Sequence, residues 1–131
     1  MVLVDANILM YAAGAEHPNK GPCGNFLEQV AKGSVDAVLD AEVLQEILHR
    51  YRALGRWPDG KRLYDLARQL FPVVFPVDVV VLDAARHLLD LHPLTARDAL
   101  HAAVVRVNSL DGICSYDRDF DQITGLRRLE P

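Results

Sequence analysis

Val2-Leu3-Val4-Asp5-Ala6-Asn7 is the stretch whose reading decides the fold. Three apolar residues in a row present apolar side chains to both faces of a strand. A parallel sheet covered by helices on both sides requires that pattern. In open parallel sheets, ligands sit beyond the carboxyl ends of the strands. Asp5 stands at such an end, and Asn7 follows where a helix should begin. Asp5 could simply cap that helix, or it could belong to a site. Which of the two holds depends on whether other carboxylates reach the same sheet edge.

Outward from this strand the pattern alternates. A short helix is predicted over Asn7–Ala13, a loop over Pro18–Pro22 and a helix over Gly24–Ala31. Val35–Leu39 reads as a strand, with Asp40 capping the next helix. That helix, residues 41–54, is the clearest: Val43, Leu44, Ile47, Leu48 and Tyr51 recur at three- to four-residue spacing. Glu46 lies beside this stripe. Further helices are predicted over Lys61–Leu70, from the cap Asp78 to Leu91, and from Thr95 through Val107. Strands are predicted over Val73–Val77, Gly112–Ser115 and Leu126–Leu129. Strands alternating with helices give an α/β fold with a mainly parallel sheet.

The 131 residues suit one domain spanning 1–131. Half of them are hydrophobic and 24% are charged, which excludes a disordered chain. Cys23 and Cys114 form no ligand pair. Cys114 lies in an apolar stretch and reads as a buried thiol, in keeping with a reducing cytoplasmic setting. No signal peptide or membrane span is expected. The net charge of -4 speaks against general nucleic-acid affinity. Residues 50–68, however, hold six Lys/Arg against two acids, so an acidic molecule carries one basic segment.

Four carboxylates can meet at the sheet edge. Asp5 and Asp117 follow strands, Glu46 lies early on one helix, and Asp98 sits in the first turn of another. Four acids around one cleft repel each other, and an all-oxygen set suits Mg²⁺ or Mn²⁺. Ordinary roles compete for each. Asp98 could complete a capping-box-like arrangement with Thr95. Glu46 could be a solvated flank residue, with Glu42 its rival on the same face. Asp117, Asp119 and Asp121 occupy a turn, where Asp is common. His101 reads as a packed or surface histidine, and the other four histidines show no ligand spacing. There is no Ser-His-Asp, Cys-His, P-loop or dinucleotide pattern.

Four segments in order carry a family resemblance: Val2-Leu-Val-Asp5-Ala-Asn7, Ala41-Glu-Val-Leu-Gln-Glu46, Ala96-Arg-Asp98-Ala-Leu-His101, and Ile113-Cys-Ser115-Tyr-Asp117-Arg-Asp119. Together they resemble PIN-domain ribonucleases, and most closely the VapC toxins of toxin–antitoxin pairs. The resemblance implies a three-layer α/β/α fold and Mg²⁺- or Mn²⁺-dependent cleavage of single-stranded or loop RNA. It makes Asp5, Glu46, Asp98 and Asp117 catalytic. Asp5, Asp98 and Asp117 would bind the metal, and Asn7, Ser115 and Asp119 would support them. It also implies a VapB-like antitoxin partner and a homodimer. Two positions depart from the family pattern: Asp40, where Ser or Thr is common, and Tyr116, which could reshape the groove. Arg50, Arg52 and Arg56 are candidates for holding RNA phosphates, with Tyr51 or Trp57 stacking on a base. The same stretch also reads as a solvated helical face.

Three other readings stay open. One is a protein-binding module with a vestigial cleft. A second is a PIN nuclease of RNA processing without an antitoxin. The third is a haloacid-dehalogenase-type phosphatase, against which Asn7 stands where a second Asp is required.

Overall fold

In the computed structural model, which describes residues 1–131, every strand pairing is parallel. The strands are β1 (Val2–Val4), β2 (Ala37–Asp40), β3 (Val74–Phe75), β4 (Gly112–Cys114) and β5 (Arg128–Leu129), in the order β3-β2-β1-β4-β5. The helices are α1 (Ala6–Ala13), α2 (Lys20–Ala31), α3 (Ala41–Ala53), α4 (Trp57–Leu70), α5 (Val79–Leu91) and α6 (Ala96–Val107). A 3₁₀ turn spans Arg118–Gln122. The fold is therefore the expected three-layer α/β/α arrangement, with a sheet that is wholly parallel.

The apolar run of β1 does what it predicts. Leu3 aligns with Val38 and Ile113 and faces one side, where α5 and α6 supply Val81, Leu88, Ala99, Ala102 and Ala103. Val4 faces the other side with Leu39 and Cys114, against Ile8, Val43, Ile47 and Phe71. Leu3 and Val4 are both inaccessible to solvent. Alternation along a strand sends neighbours to opposite faces, so one dipeptide anchors both cores.

Two helices begin earlier than expected. The segment Pro18–Pro22 is not all loop, because α2 starts at Lys20. Likewise α4 starts at Trp57, with Pro58 in its first turn, and not at Lys61. The reason is the same for both. The first-turn N–H groups of a helix have no internal partner, so a proline there costs nothing and its fixed φ suits the helix. Pro58 opens α4; the end of α3 is made by Gly55, whose φ of +69° suits glycine alone. Gly60 then lets α4 lie against α3, since a Cβ there would sit 2.5 Å from the Cβ of Tyr51. The edge strands β3 and β5 are two residues each, shorter than predicted. Short edges offer little backbone to stray pairing.

The strand order fixes where a site can be. From β1 the chain steps outward through β2 to β3, then crosses to β4 on the other side of β1. The connections diverge between β1 and β4. A crevice opens at such a point, beyond the carboxyl ends. Asp5 and Asp117 follow these two strands.

Candidate active site

A cleft of about 920 Å³ opens at this edge, and Asp5, Glu46, Asp98, Asp117 and Asp119 all line it. The structure thus brings together all four predicted acids and the weaker fifth. Asp5, Glu46 and Asp98 are buried, Asp117 is half-buried and Asp119 is exposed. One oxygen each from Asp98, Asp117 and Asp119 lies within 4.8 Å of the others.

Asp5 sits at the start of α1 but makes no side-chain cap bond. Its Oδ2 instead accepts from Ser115 Oγ at 2.6 Å. The Ser115 hydroxyl accepts in turn from Asn7 Nδ2 at 3.2 Å and from the Asp117 N–H at 3.0 Å. One buried hydroxyl therefore ties together the residues after β1 and β4. Asn7 Oδ1 is buried with no hydrogen-bond partner. Such an atom costs free energy unless something it can ligate or accept from is present. Asp117 caps the 3₁₀ turn, its Oδ1 accepting from the Asp119 N–H at 2.9 Å. Arg128 braces the turn from below, donating to both oxygens of Asp121 and to the Ser115 carbonyl.

Asp98 is not a capping-box partner. Thr95 Oγ1 accepts from the Asp98 backbone N–H at 3.2 Å, so Thr95 alone caps α6 and the Asp98 carboxylate points into the cleft. Burial, and then the nearby charges of Asp117 and Asp5, push its pKa from 3.8 to about 6. Burial also raises Asp5. The cleft is a place where anions are held against their preference.

Glu46, not Glu42, carries the deeper position on α3. Its Oε1 forms an ion pair with Arg97 Nε at 3.2 Å and faces His101 Nε2 at 3.3 Å, while Glu42 reaches Arg97 only at 4.0 Å. His101 is fully buried, with Nδ1 2.7 Å from Asp40 Oδ2 and Nε2 3.9 Å from Asp5 Oδ1. Burial opposes its protonation, but Asp40, Glu46 and Asp5 outweigh that and raise its pKa well above 6.5. The expected cap at Asp40 is present, with Oδ1 accepting from the Val43 N–H at 2.9 Å. Its second oxygen holds His101.

Arg97 lines the cleft and was not singled out in the sequence; Asp40 and His101, read there as a helix cap and a packed or surface histidine, stand behind Glu46. A signal was available: Arg97 and His101 are four apart on a helix, so they share a face.

The basic segment divides. Arg50 lines the cleft with His49, four and three residues beyond Glu46. At 100° per residue, Arg50 falls 40° from Glu46 around the helix, whereas Arg52 falls 120° away. Arg52 accordingly lies outside the cleft lining. Arg56 is paired with Asp59 at 3.0 Å and lies over the Tyr51 ring. Tyr51 is buried and free for no base; Trp57 is exposed but also outside the cleft lining. Tyr116 turns away from the cleft and packs edge-on against Tyr11, so it does not shape the groove. Cys23 and Cys114 are buried free thiols, and burial raises Cys114 to about 12. No helix is long and apolar enough to cross a membrane.

Comparison with known proteins agrees with this geometry. The family model described as PIN domain matches residues 2–126. Over 130 residues the chain is 42% identical to ribonuclease VapC13 of Mycobacterium tuberculosis, covering 98% of this chain and 99% of that one. It is 36% identical over 118 residues to ribonuclease VapC23 of the same organism, covering 89% and 93%. Among solved structures, Rickettsia felis VapBC2 bound to a promoter DNA fragment superposes with a TM-score of 0.79 at 15% identity, covering 100% of this chain and 99% of that one. M. tuberculosis VapC20, a toxin that cleaves the sarcin–ricin loop, superposes at 0.73 with 19% identity and full coverage of both chains.

Proposed function

The chain belongs to the PIN-domain family, and on that footing we propose that it is a divalent-metal-dependent endoribonuclease, the toxin of a toxin–antitoxin pair, acting on single-stranded or loop RNA. The observation that carries this reading is the convergence of Asp5, Glu46, Asp98 and Asp117 on one cleft at the β1/β4 divergence. The names of the VapC relatives support RNA as substrate.

The residues present fit a hard dication. The cleft offers carboxylate oxygens and the unpartnered Oδ1 of Asn7, an all-oxygen set of the kind Mg²⁺ and Mn²⁺ take. Asp5, Asp98 and Asp117 would hold the ion, with Asn7, Ser115 and Asp119 in support. Bound there, it would stabilise charge on the scissile phosphate and make water a stronger nucleophile. The chain's own residues do the rest. Ser115 fixes the Asp5 carboxylate. Glu46 faces the cleft as an acceptor for a proton of the attacking water. Arg50 and Arg97 line the cleft as cations for the phosphates on either side. No side-chain nucleophile is required, and the RNA 2′-hydroxyl takes no part.

Partners follow the same logic. The α1 helix lends Asn7 and Met10 to the cleft, and Leu9 to an adjoining apolar groove completed by Leu27, Leu63, Leu66 and Leu70. An antitoxin segment would fill that groove and set a cation among the carboxylates, taking over the ion's charge role. Val79, Val80, Leu82, Leu89 and Leu91 leave α5 with exposed apolar residues, which supports self-association as a homodimer. Two free buried thiols suit a cytoplasmic setting.

The intact acid set favours cleavage over a vestigial binding module. The engagement of Asn7 with Ser115 gives it a supporting role, unlike the second Asp of a phosphatase. The test is cleavage of labelled single-stranded RNA with and without Mn²⁺, by wild type, Asp5→Asn and Asp98→Asn. Metal-dependent cleavage lost in both variants is expected. Equal cleavage by all three, or none that needs metal, would overturn the reading. Purification with the adjacent small open reading frame should yield a complex; a free monomer would favour a nuclease without an antitoxin.

A further inference from the structure

Asp40, Glu46, Arg97 and His101 form a connected group that the four-acid description does not use. Asp40 spends one oxygen on the α3 cap, at the Val43 N–H, and the other on His101 Nδ1 at 2.7 Å. A carboxylate only accepts, so Nδ1 carries the hydrogen and the ring is locked in orientation. Nε2 is thereby aimed at Glu46 Oε1, 3.3 Å away. Arg97, one turn earlier on α6, reaches the same oxygen from outside at 3.2 Å. Glu46 Oε1 is held from within and from without by two residues of a neighbouring helix. Asp98, between them in sequence, turns instead to Asp117 and Asp119.

We propose that Asp40 and His101 are a buried positioning pair that, with Arg97, fixes the Glu46 carboxylate and keeps it out of the ion site built by Asp5, Asp98 and Asp117. His101 fills the space between Glu46 and Asp5, to which it lies at 3.3 and 3.9 Å. With Nε2 committed to Glu46 Oε1, an ion shared by Asp5 and Glu46 would have to break that contact. The cleft then takes one ion per chain, and Glu46 acts on water or RNA without ligating metal. This rests on the reading of the cleft as a metal-dependent nuclease.

Two substitutions separate positioning from packing. In His101→Asn the short amide reaches Asp40 in place of Nδ1 but falls short of Glu46. In His101→Gln the longer amide reaches Glu46 in place of Nε2 and releases Asp40. Each loses one of the two bonds, and thermal melting of both variants shows whether the fold is kept. Wild type should bind one Mn²⁺ per chain by calorimetry. His101→Asn should lower kcat for RNA about 10- to 100-fold, since a misplacement of about 1 Å at a reacting group can cost on the order of 100-fold. It should leave KM unchanged and admit a second, weaker Mn²⁺. His101→Gln keeps the contact with Glu46 and loses only the anchor to Asp40, so kcat should fall by less than in His101→Asn, and one ion should bind. Should His101→Asn fail to fold by circular dichroism, Asp40→Ser serves. Its hydroxyl still caps α3 but frees the ring, and kcat should fall as in His101→Gln.

Equal loss in the Asn and Gln variants with one ion bound would make His101 a packing residue and overturn the proposal. So would wild-type kcat in His101→Asn or Asp40→Ser, or two ions on the wild type. If wild type cleaves no RNA, the nuclease reading fails, while the Mn²⁺ counts still decide this one.

Discussion

Replacing Asp98 with Asn should stabilise the metal-free protein at neutral pH while abolishing cleavage. The α6 cap runs from the Asp98 backbone N–H to Thr95 and survives the change. What the substitution removes is a buried charge beside Asp117 and Asp5, whose cost appears as the rise in pKa from 3.8 to about 6. That rise corresponds to about 3 kcal/mol. Between pH ~4 and ~6 the folded state keeps a proton on Asp98 that the unfolded chain has released, so stability falls as pH rises through this window. Above it, the whole penalty is present. Asn never ionises and escapes it. At pH 7 with EDTA, Asp98→Asn should therefore melt several degrees higher than wild type, up to about 10 °C. At pH 4 the two should melt together. Mn²⁺ should close the gap at pH 7, because only wild type gains the binding free energy in full. The assay is thermal melting at pH 4 and pH 7, with EDTA and with Mn²⁺. A variant less stable than wild type at pH 7 in EDTA, or a gap that ignores pH, would refute the reasoning and make Asp98 a structural residue.

Ser115→Ala leaves Asp5 and the Asp117 N–H without their shared hydroxyl; it should cost about 1–3 kcal/mol in denaturant unfolding and weaken Mn²⁺ binding about 10- to 100-fold by calorimetry. Arg50→Ala should weaken RNA binding and flatten its log–log salt slope by about 0.7, whereas Arg52→Ala should leave the slope as it is; equal slopes would remove Arg50 from the groove. Ala102→Leu places three extra carbons where α6 lies against the sheet with no free space, and should cost about 1–3 kcal/mol and reduce kcat, because Asp98 and His101 ride on that helix. Cys114, raised to about 12 by burial, should resist alkylation at pH 8 until the chain is unfolded; rapid labelling of the native protein would show that β4 is accessible.

What the sequence made legible was the part written in periodicity. Val2–Val4 announces a strand covered on both faces, and it lies at the sheet centre with one core on each side. The stripe Val43, Leu44, Ile47, Leu48 and Tyr51 announces α3; four of the five are buried, and Leu48, at the stripe's edge, is exposed. The carboxylates were legible because each stands just after a strand or early on a helix, and the strand order sends those positions to one edge. The helix starts at Lys20 and Trp57 were misplaced by treating Pro22 and Pro58 as breakers. A proline is a breaker only where its N–H is needed, and position within the helix cannot be read from the proline itself. The arginines divide for a rotational reason. Arg52 is displaced from Glu46 around the helix as well as along it, and Arg50, which lines the cleft, is nearer on both counts.

The Asp40–His101 pair was out of reach for a different cause. Sixty-one residues separate the two, and each has an ordinary local explanation: a helix cap, and a histidine on an apolar helix face. Nothing in either neighbourhood requires the other. What joins them is the parallel sheet. It sets the end of β2, where α3 starts, beside the helix that leads into β4, and so puts a cap residue within reach of the inner face of α6. Asp40 departs from the Ser or Thr common at this cap, and either of those would satisfy Val43 equally well. A carboxylate offers a separate oxygen to each partner, so Asp40 caps α3 with Oδ1 and reaches His101 with Oδ2. The departure that looked incidental in one dimension is the residue that ties α6, through His101, to the carboxylate of Glu46.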